Sequence, residues 1–125
     1  MSRSRQNLGR WGETLAADYL QERGYTLVER NARTAFGEID LVMRQPAPTG
    51  PVTVFVEVKT RRSQAFGLPE EAITPRKQAH LLDSAQAYLQ AHPELDGDWR
   101  IDVIAIQRSD AAAPPEIIHF ENAVS

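Results

Sequence analysis

Leu8, Trp11, Leu15, Ala16, Tyr19 and Leu20 recur at three- and four-residue steps, so Gly9 to Arg23 reads as an amphipathic helix that Gly24 stops. Its apolar stripe is expected to face a sheet. Tyr25 to Arg30 has strand-like composition, and Gly37 to Arg44 alternates, which sets Ile39, Leu41 and Met43 on one face and Glu38, Asp40 and Val42 on the other. Proline has no N–H to give a ladder, so Gln45 to Pro51, with Pro46, Pro48, Gly50 and Pro51, is expected to be a hairpin connection. In Val52 to Lys59 the valines at 52, 54, 56 and 58 form one face, while Thr53, Phe55, Glu57 and Lys59 form the other.

Thr60 to Pro69 is a polar loop carrying Arg61, Arg62 and Gly67. Thr74 and Pro75 then make a good N-cap and first-turn pair for a second helix, buried through Leu81, Leu82, Ala85, Tyr88 and Leu89 and ending near His92-Pro93. Asp96 to Asp98 turns into an apolar strand, Trp99 to Ile106, that bears Asp102. A last hairpin strand, Glu116 to Phe120, follows the loop Ser109 to Pro115. The order α-β-β-β-α-β-β, with no repeat and no internal linker, predicts one layered α/β domain spanning residues 1–125, with a core over about 9–120.

A length of 125 residues, with 42% hydrophobic and 25% charged positions, is ordinary for one globular core. No apolar run approaches the roughly eighteen residues that span a bilayer. The first ten residues hold Arg3, Arg5 and Arg10 without an apolar segment, and Glu13 and Asp18 follow soon after, so an untargeted, soluble, cytoplasmic protein is expected. The absence of cysteine excludes disulfides, thiolate zinc sites and cysteine nucleophiles. The net charge of −3 hides an asymmetry: residues 1–62 carry ten Lys and Arg against seven Asp and Glu, whereas residues 63–125 carry four against ten. The net charge argues mildly against a nucleic-acid partner, and only the first half looks basic.

Hydrolysing a phosphodiester requires neutralising the phosphoryl oxygens and producing hydroxide near neutral pH, and a divalent cation held by carboxylates does both. Asp40 and Glu57, near the ends of two strands expected to be hairpin partners, can converge on one ion, with the Val58 carbonyl as a further ligand. Lys59 projects from the face of Glu57, about 7 Å further on by strand rise, where it can orient a water or neutralise a phosphate. The competing reading of Glu-x-Lys is a solvated charge pair on a strand face. A second acid in the preceding strand favours the site.

Glu13 in the first helix, Gly37-Glu38-Ile39-Asp40-Leu41-Val42 and Phe55-Val56-Glu57-Val58-Lys59-Thr60-Arg61 together resemble the YraN family of bacterial proteins. The likeness extends to Ile73-Thr74-Pro75-Arg76-Lys77-Gln78 and Arg100-Ile101-Asp102-Val103, and so covers about Gly9 to Phe120. That family is similar to archaeal Holliday junction resolvases. The resemblance implies a restriction-endonuclease-like three-layer fold, with a mixed central sheet of about five strands flanked by helices. It implies Asp40 and Glu57 as ligands of Mg²⁺ or Mn²⁺, Lys59 as the catalytic lysine and Glu13 as the helix acid that completes the site. Related nucleases often pair a Gln with a Tyr one turn later on the second helix. Here Gln78 is followed by Leu82, which argues against a catalytic Gln78.

Arg61 and Arg62, just after Lys59, and Arg76 and Lys77, beside a helix N-terminus, are candidate nucleic-acid contacts. Glu38 is either a ligand or a strand-edge charge. Asp102 reads as either a buried acid paired with an arginine or a structural part of the site, the structural role being favoured, and His80, His92 and His119 lack metal-ligand spacing. Trp11, Tyr19, Phe55, Tyr88 and Trp99 read as packing aromatics. The expectation is a metal-dependent endonuclease acting on DNA, with branched or otherwise structured DNA as the substrate form and a homodimer by analogy. A non-catalytic nucleic-acid-binding or interaction module on the same fold is the alternative, and structured RNA is a third substrate to test.

Overall fold

The computed structural model describes residues 3–61, 73–108 and 113–124. Its elements are α1 (Arg3–Glu22), β1 (Thr26–Thr34), β2 (Gly37–Gln45), β3 (Val52–Arg61), α2 (Pro75–Ala91), β4 (Trp99–Gln107) and β5 (Glu116–Val124). The strands form one mixed sheet in chain order, antiparallel throughout except where β3 and β4 run parallel. A parallel pair needs a crossover connection, and α2 lies in it.

The two helices cover opposite faces. Ala16, Ala17 and Leu20 of α1 pack on Leu41, Met43, Val54, Val56, Ile104 and Ile106. Leu81, Ala85 and Tyr88 of α2 pack on Val42, Phe55, Ile101 and Val103. The result is a three-layer α/β sandwich with a five-stranded mixed sheet, the restriction-endonuclease-like architecture. Because both faces of β4 are covered, Ile101 to Gln107 are buried without interruption, as parallel-paired central strands require. The odd positions of β3 are likewise interior: Thr53 and Phe55 are buried beneath α2's side of the sheet, although their alternation with valines resembles a half-solvated strand.

Several boundaries differ from the sequence reading. Helix α1 starts at Arg3 rather than Gly9, β1 runs on to Thr34 and β5 to Val124. Thr74 caps α2 as expected, its Oγ1 accepting from the Lys77 N–H at 3.1 Å with Pro75 in the first turn.

One facial assignment is corrected. Ile39 does not share a face with Leu41: it belongs to the α2-side cluster, while Leu41 and Met43 belong to the α1 side. The cause sits on the neighbouring strand. Asn31 has φ +52°, and it and Asp40 are skipped in the register between the Arg30–Leu41 and Ala32–Ile39 pairs. A left-handed residue breaks the pleat, and the pair changes face there. No helix among the described residues is long and apolar enough to cross a membrane.

Candidate functional site

The pairing of β2 with β3 begins at Gln45–Val52 and ends at Leu41–Val56. Beyond that point the Val58 N–H has no strand partner on this edge. The carboxylate of Asp40 takes its place, Oδ2 accepting from the Val58 N–H at 2.8 Å. Glu57 lies on the α2 side, only 5% exposed, and its Oε1 is 3.5 Å from Lys59 Nζ and 3.4 Å from Lys77 Nζ. The strand places Lys59 beside Glu57, whereas Lys77 arrives from the first turn of α2.

Burial is the main reason that Asp40 holds its proton up to about 8, and the negative charge of Glu57 is the second; the Val58 hydrogen bond opposes them, and Glu13 adds a smaller push in the same direction. The charge of Glu57 beside it thus favours the protonated form of Asp40. A pair of this kind is relieved by a cation.

Glu13 stands on the α1 side, where Gly12 lets the helix approach β3: a Cβ there would overlap Thr60 Oγ1 and come within 3.1 Å of its Cβ. The carboxylate of Glu13 faces β1, with Oε1 3.6 Å from Arg30 Nη2. With its amide nitrogen turned toward the acids, the orientation that satisfies both sides, Asn31 donates to Glu38 Oε1 at 2.9 Å and to Glu13 Oε1 and Oε2 at 3.2 and 3.3 Å. Among the described residues, no three His, Asp or Glu side chains are grouped tightly enough to hold a metal ion between them. Glu13 and Glu38 are thus an outer pair joined through Asn31, and the inner pair is Asp40 and Glu57.

Of the expected nucleic-acid contacts, Arg61 ends β3 half-buried, with its Nε unpartnered among the described residues and its carbonyl accepting from the Arg108 N–H at 2.9 Å. Arg76 is exposed on α2. Arg62 lies outside the described residues. Gln78 does not turn to the acids: its Nε2 donates to the Ile73 carbonyl at 3.2 Å and secures the entry to α2.

Three neighbours of the site escaped the sequence reading. Asn31 joins the outer acids, Arg30 pairs with Glu13, and Arg108 lies over the Trp11 ring at 5.2 Å near the end of β3. Only Asn31 carried a signal, because asparagine tolerates the left-handed region.

Asp102 lies elsewhere on the sheet. It is fully buried on the α1 side and accepts from Arg100 Nε at 3.0 Å, from the Asn122 N–H at 2.9 Å and, through Oδ2, pairs with His119 Nε2 at 2.7 Å. Burial alone would raise its pKa, but the hydrogen bonds from His119, Asn122 and Arg100 outweigh it and hold the carboxyl below its usual value. Arg100 spends its remaining donors on Gln45 Oε1 and the Tyr25 hydroxyl. Of the two expected settings, Asp102 has that of a buried acid paired with an arginine, here Arg100, apart from the candidate site.

Relatives are alike over nearly the whole chain. A protein of Syntrophomonas wolfei is 46% identical over 94% of this chain and 97% of its own length. One from Dehalococcoides mccartyi is 41% identical over 94% of each. One from Clavibacter michiganensis reaches 50% over 81% of this chain and 82% of its own. All three are UPF0102 proteins. A solved structure of Pyrococcus furiosus SfsA in complex with Ca²⁺ is 14% identical at a TM-score of 0.36; the match covers 97% of this chain and 65% of that one. A likeness at that level bears on neither fold nor activity. The model of the uncharacterised protein family UPF0102 matches residues 12–106, and this chain, which carries the motifs of the YraN family, belongs to it.

Proposed function

We propose that this protein is a metal-dependent endonuclease that hydrolyses DNA phosphodiester bonds, with branched or otherwise structured DNA as its substrate. The observation that carries the reading is the meeting of Asp40 and Glu57 where the β2–β3 ladder ends, with Lys59 Nζ 3.5 Å from Glu57.

The donor set fits Mg²⁺ or Mn²⁺. Such ions keep several waters and need only one or two carboxylates. Asp40 and Glu57 would hold the ion. The Val58 carbonyl leaves the same strand edge as the N–H that meets Asp40, so it is available as a third oxygen. A bound cation supplies charge neutralisation at the phosphoryl oxygens and a more acidic water.

The protein's own groups do the rest. Lys59 can orient the attacking water or balance charge on the phosphate, and Glu13, through Asn31, braces the strand edge that carries Asp40. Arg61 at the end of β3, with Arg62, Arg76 and Lys77, would meet backbone phosphates, contacts that position the duplex without reading its sequence. Cutting two strands takes two sites, which a homodimer on the DNA would supply.

The test is incubation of the intact chain with plasmid, four-way junctions and structured RNA, with Mg²⁺, Mn²⁺ or EDTA. Wild type is expected to nick DNA only with metal. Asp40→Asn and Glu57→Gln should lose at least about a hundredfold in rate, the scale of a lost electrostatic contact at the reacting centre. Cleavage that persists unchanged in both variants would sink the site. Salt-sensitive binding without nicks would instead support a non-catalytic DNA-binding module.

A further inference from the structure

Glu57 Oε1 receives two ammonium groups, Lys59 at 3.5 Å and Lys77 at 3.4 Å. Only Lys59 was expected there from the strand spacing. We propose that Lys77 is a second lysine of the phosphodiester site, held on Glu57 while the acids lack a cation and transferred to a substrate phosphate once Glu57 engages one. The inference rests on the reading of Asp40 and Glu57 as the cation-binding pair.

Glu57 is 5% exposed, so its counter-charge comes from neighbours rather than water. A dication on the Glu57 carboxylate repels the two ammoniums already held at its Oε1 across a few ångströms, so its binding favours the departure of one of them. Lys77 is the partner that can leave. Its side chain is 42% exposed against 27% for Lys59, and so it is the less enclosed of the two and the freer to swing into solvent.

Its backbone does not have to move. The Lys77 N–H is fixed to Thr74 Oγ1, and α2 is anchored through Ile73 and Leu81, so the swing is confined to the flexible stem. The positive end of the α2 dipole lies at the same turn and favours a phosphate there.

This role makes two steps respond in opposite directions. Removing the Lys77 charge removes a competitor for Glu57, so the cation binds more tightly; it also removes a phosphate partner, so the substrate binds more weakly. A lysine that merely ties α2 to β3 would not produce this pair of signs.

The experiment is calorimetric titration of Mn²⁺ into the intact chain without DNA, for wild type, Lys77→Met and Lys77→Arg, with circular dichroism to confirm equal folding. Initial-rate kinetics on one four-way junction in Mn²⁺ follow. Lys77→Met is expected to tighten the Mn²⁺ Kd about three- to fivefold, the reach of a half-exposed ion pair. It should also raise KM about tenfold with a smaller change in kcat, and Lys77→Arg should stay near wild type in both. An unchanged or weakened Mn²⁺ Kd in Lys77→Met overturns the role of Lys77 while leaving the nuclease reading intact. A wild type that binds no Mn²⁺ and cuts nothing overturns both.

Discussion

Asp40→Asn is expected to stabilise the protein in the absence of metal, and increasingly so as pH rises. The substitution keeps the shape and the acceptor that Val58 N–H needs, and it removes only the charge. In the folded chain Asp40 keeps its proton up to about 8 because it is buried and beside Glu57, whereas an unfolded carboxyl releases it near 3.8. Between those values the native state binds more protons than the unfolded state, so wild-type stability falls with rising pH across that window. Asparagine does not titrate. The difference between the two proteins should therefore open from about pH 4 and be complete a little above pH 8.

A proton held over that whole window corresponds to about 1.4 kcal/mol for each pH unit, a ceiling of roughly 5–6 kcal/mol. Lys59 and Lys77 already neutralise much of Glu57, and both are partly exposed to solvent screening, so about 1–3 kcal/mol is expected to remain at pH 8. Urea unfolding in EDTA at several pH values measures it. A gap that is flat between pH 5 and pH 8, or an Asn variant less stable than wild type at pH 8, would refute the reasoning. Mn²⁺ should reverse the order by mass action, because it binds the native pair of carboxylates and not the Asn variant.

Two further outcomes concern the scaffold. Asp102→Ala leaves Arg100 and His119 half-buried without their acid and is expected to cost about 3–5 kcal/mol in urea unfolding. The depressed folded pKa of Asp102 also means that its contribution is present above the ordinary carboxylate value and is lost as pH falls through the folded one, so Asp102→Asn should flatten the acid limb of the stability profile. Gly12→Ala should cost about 1–3 kcal/mol by pushing α1 off Thr60, and Thr60→Ala in the same chain should recover part of it; a double-mutant cycle with no coupling would contradict that contact.

The periodic parts of the molecule were legible because periodicity reports burial. The stripe Trp11, Leu15, Leu20 located α1, and the alternation in Val52 to Lys59 set Glu57 and Lys59 on one face. The same rule failed at Ile39. One left-handed residue on the neighbouring strand, Asn31, breaks the two-residue period there, and a single such residue leaves no trace in the apolar pattern of β2. Lys77 was visible as a basic residue at a helix start, but its place on Glu57 depends on the β3–α2–β4 crossover returning α2 across the sheet, a fact of topology rather than spacing.

The position of Asp40 follows from what a β-ladder must do where it stops. Each strand N–H inside a sheet is taken by a neighbour, and one left in a buried gap without an acceptor is costly. Beyond Leu41–Val56 the Val58 N–H is such a donor, and a short acid from the parting strand is the side chain that can reach it. The bond that repairs the ladder end also pins Asp40 beside Glu57, against the repulsion that holds its proton to about 8. Sequence motif and ladder end coincide for that physical reason: the geometry that leaves a backbone donor open is the one that sets two carboxylates side by side.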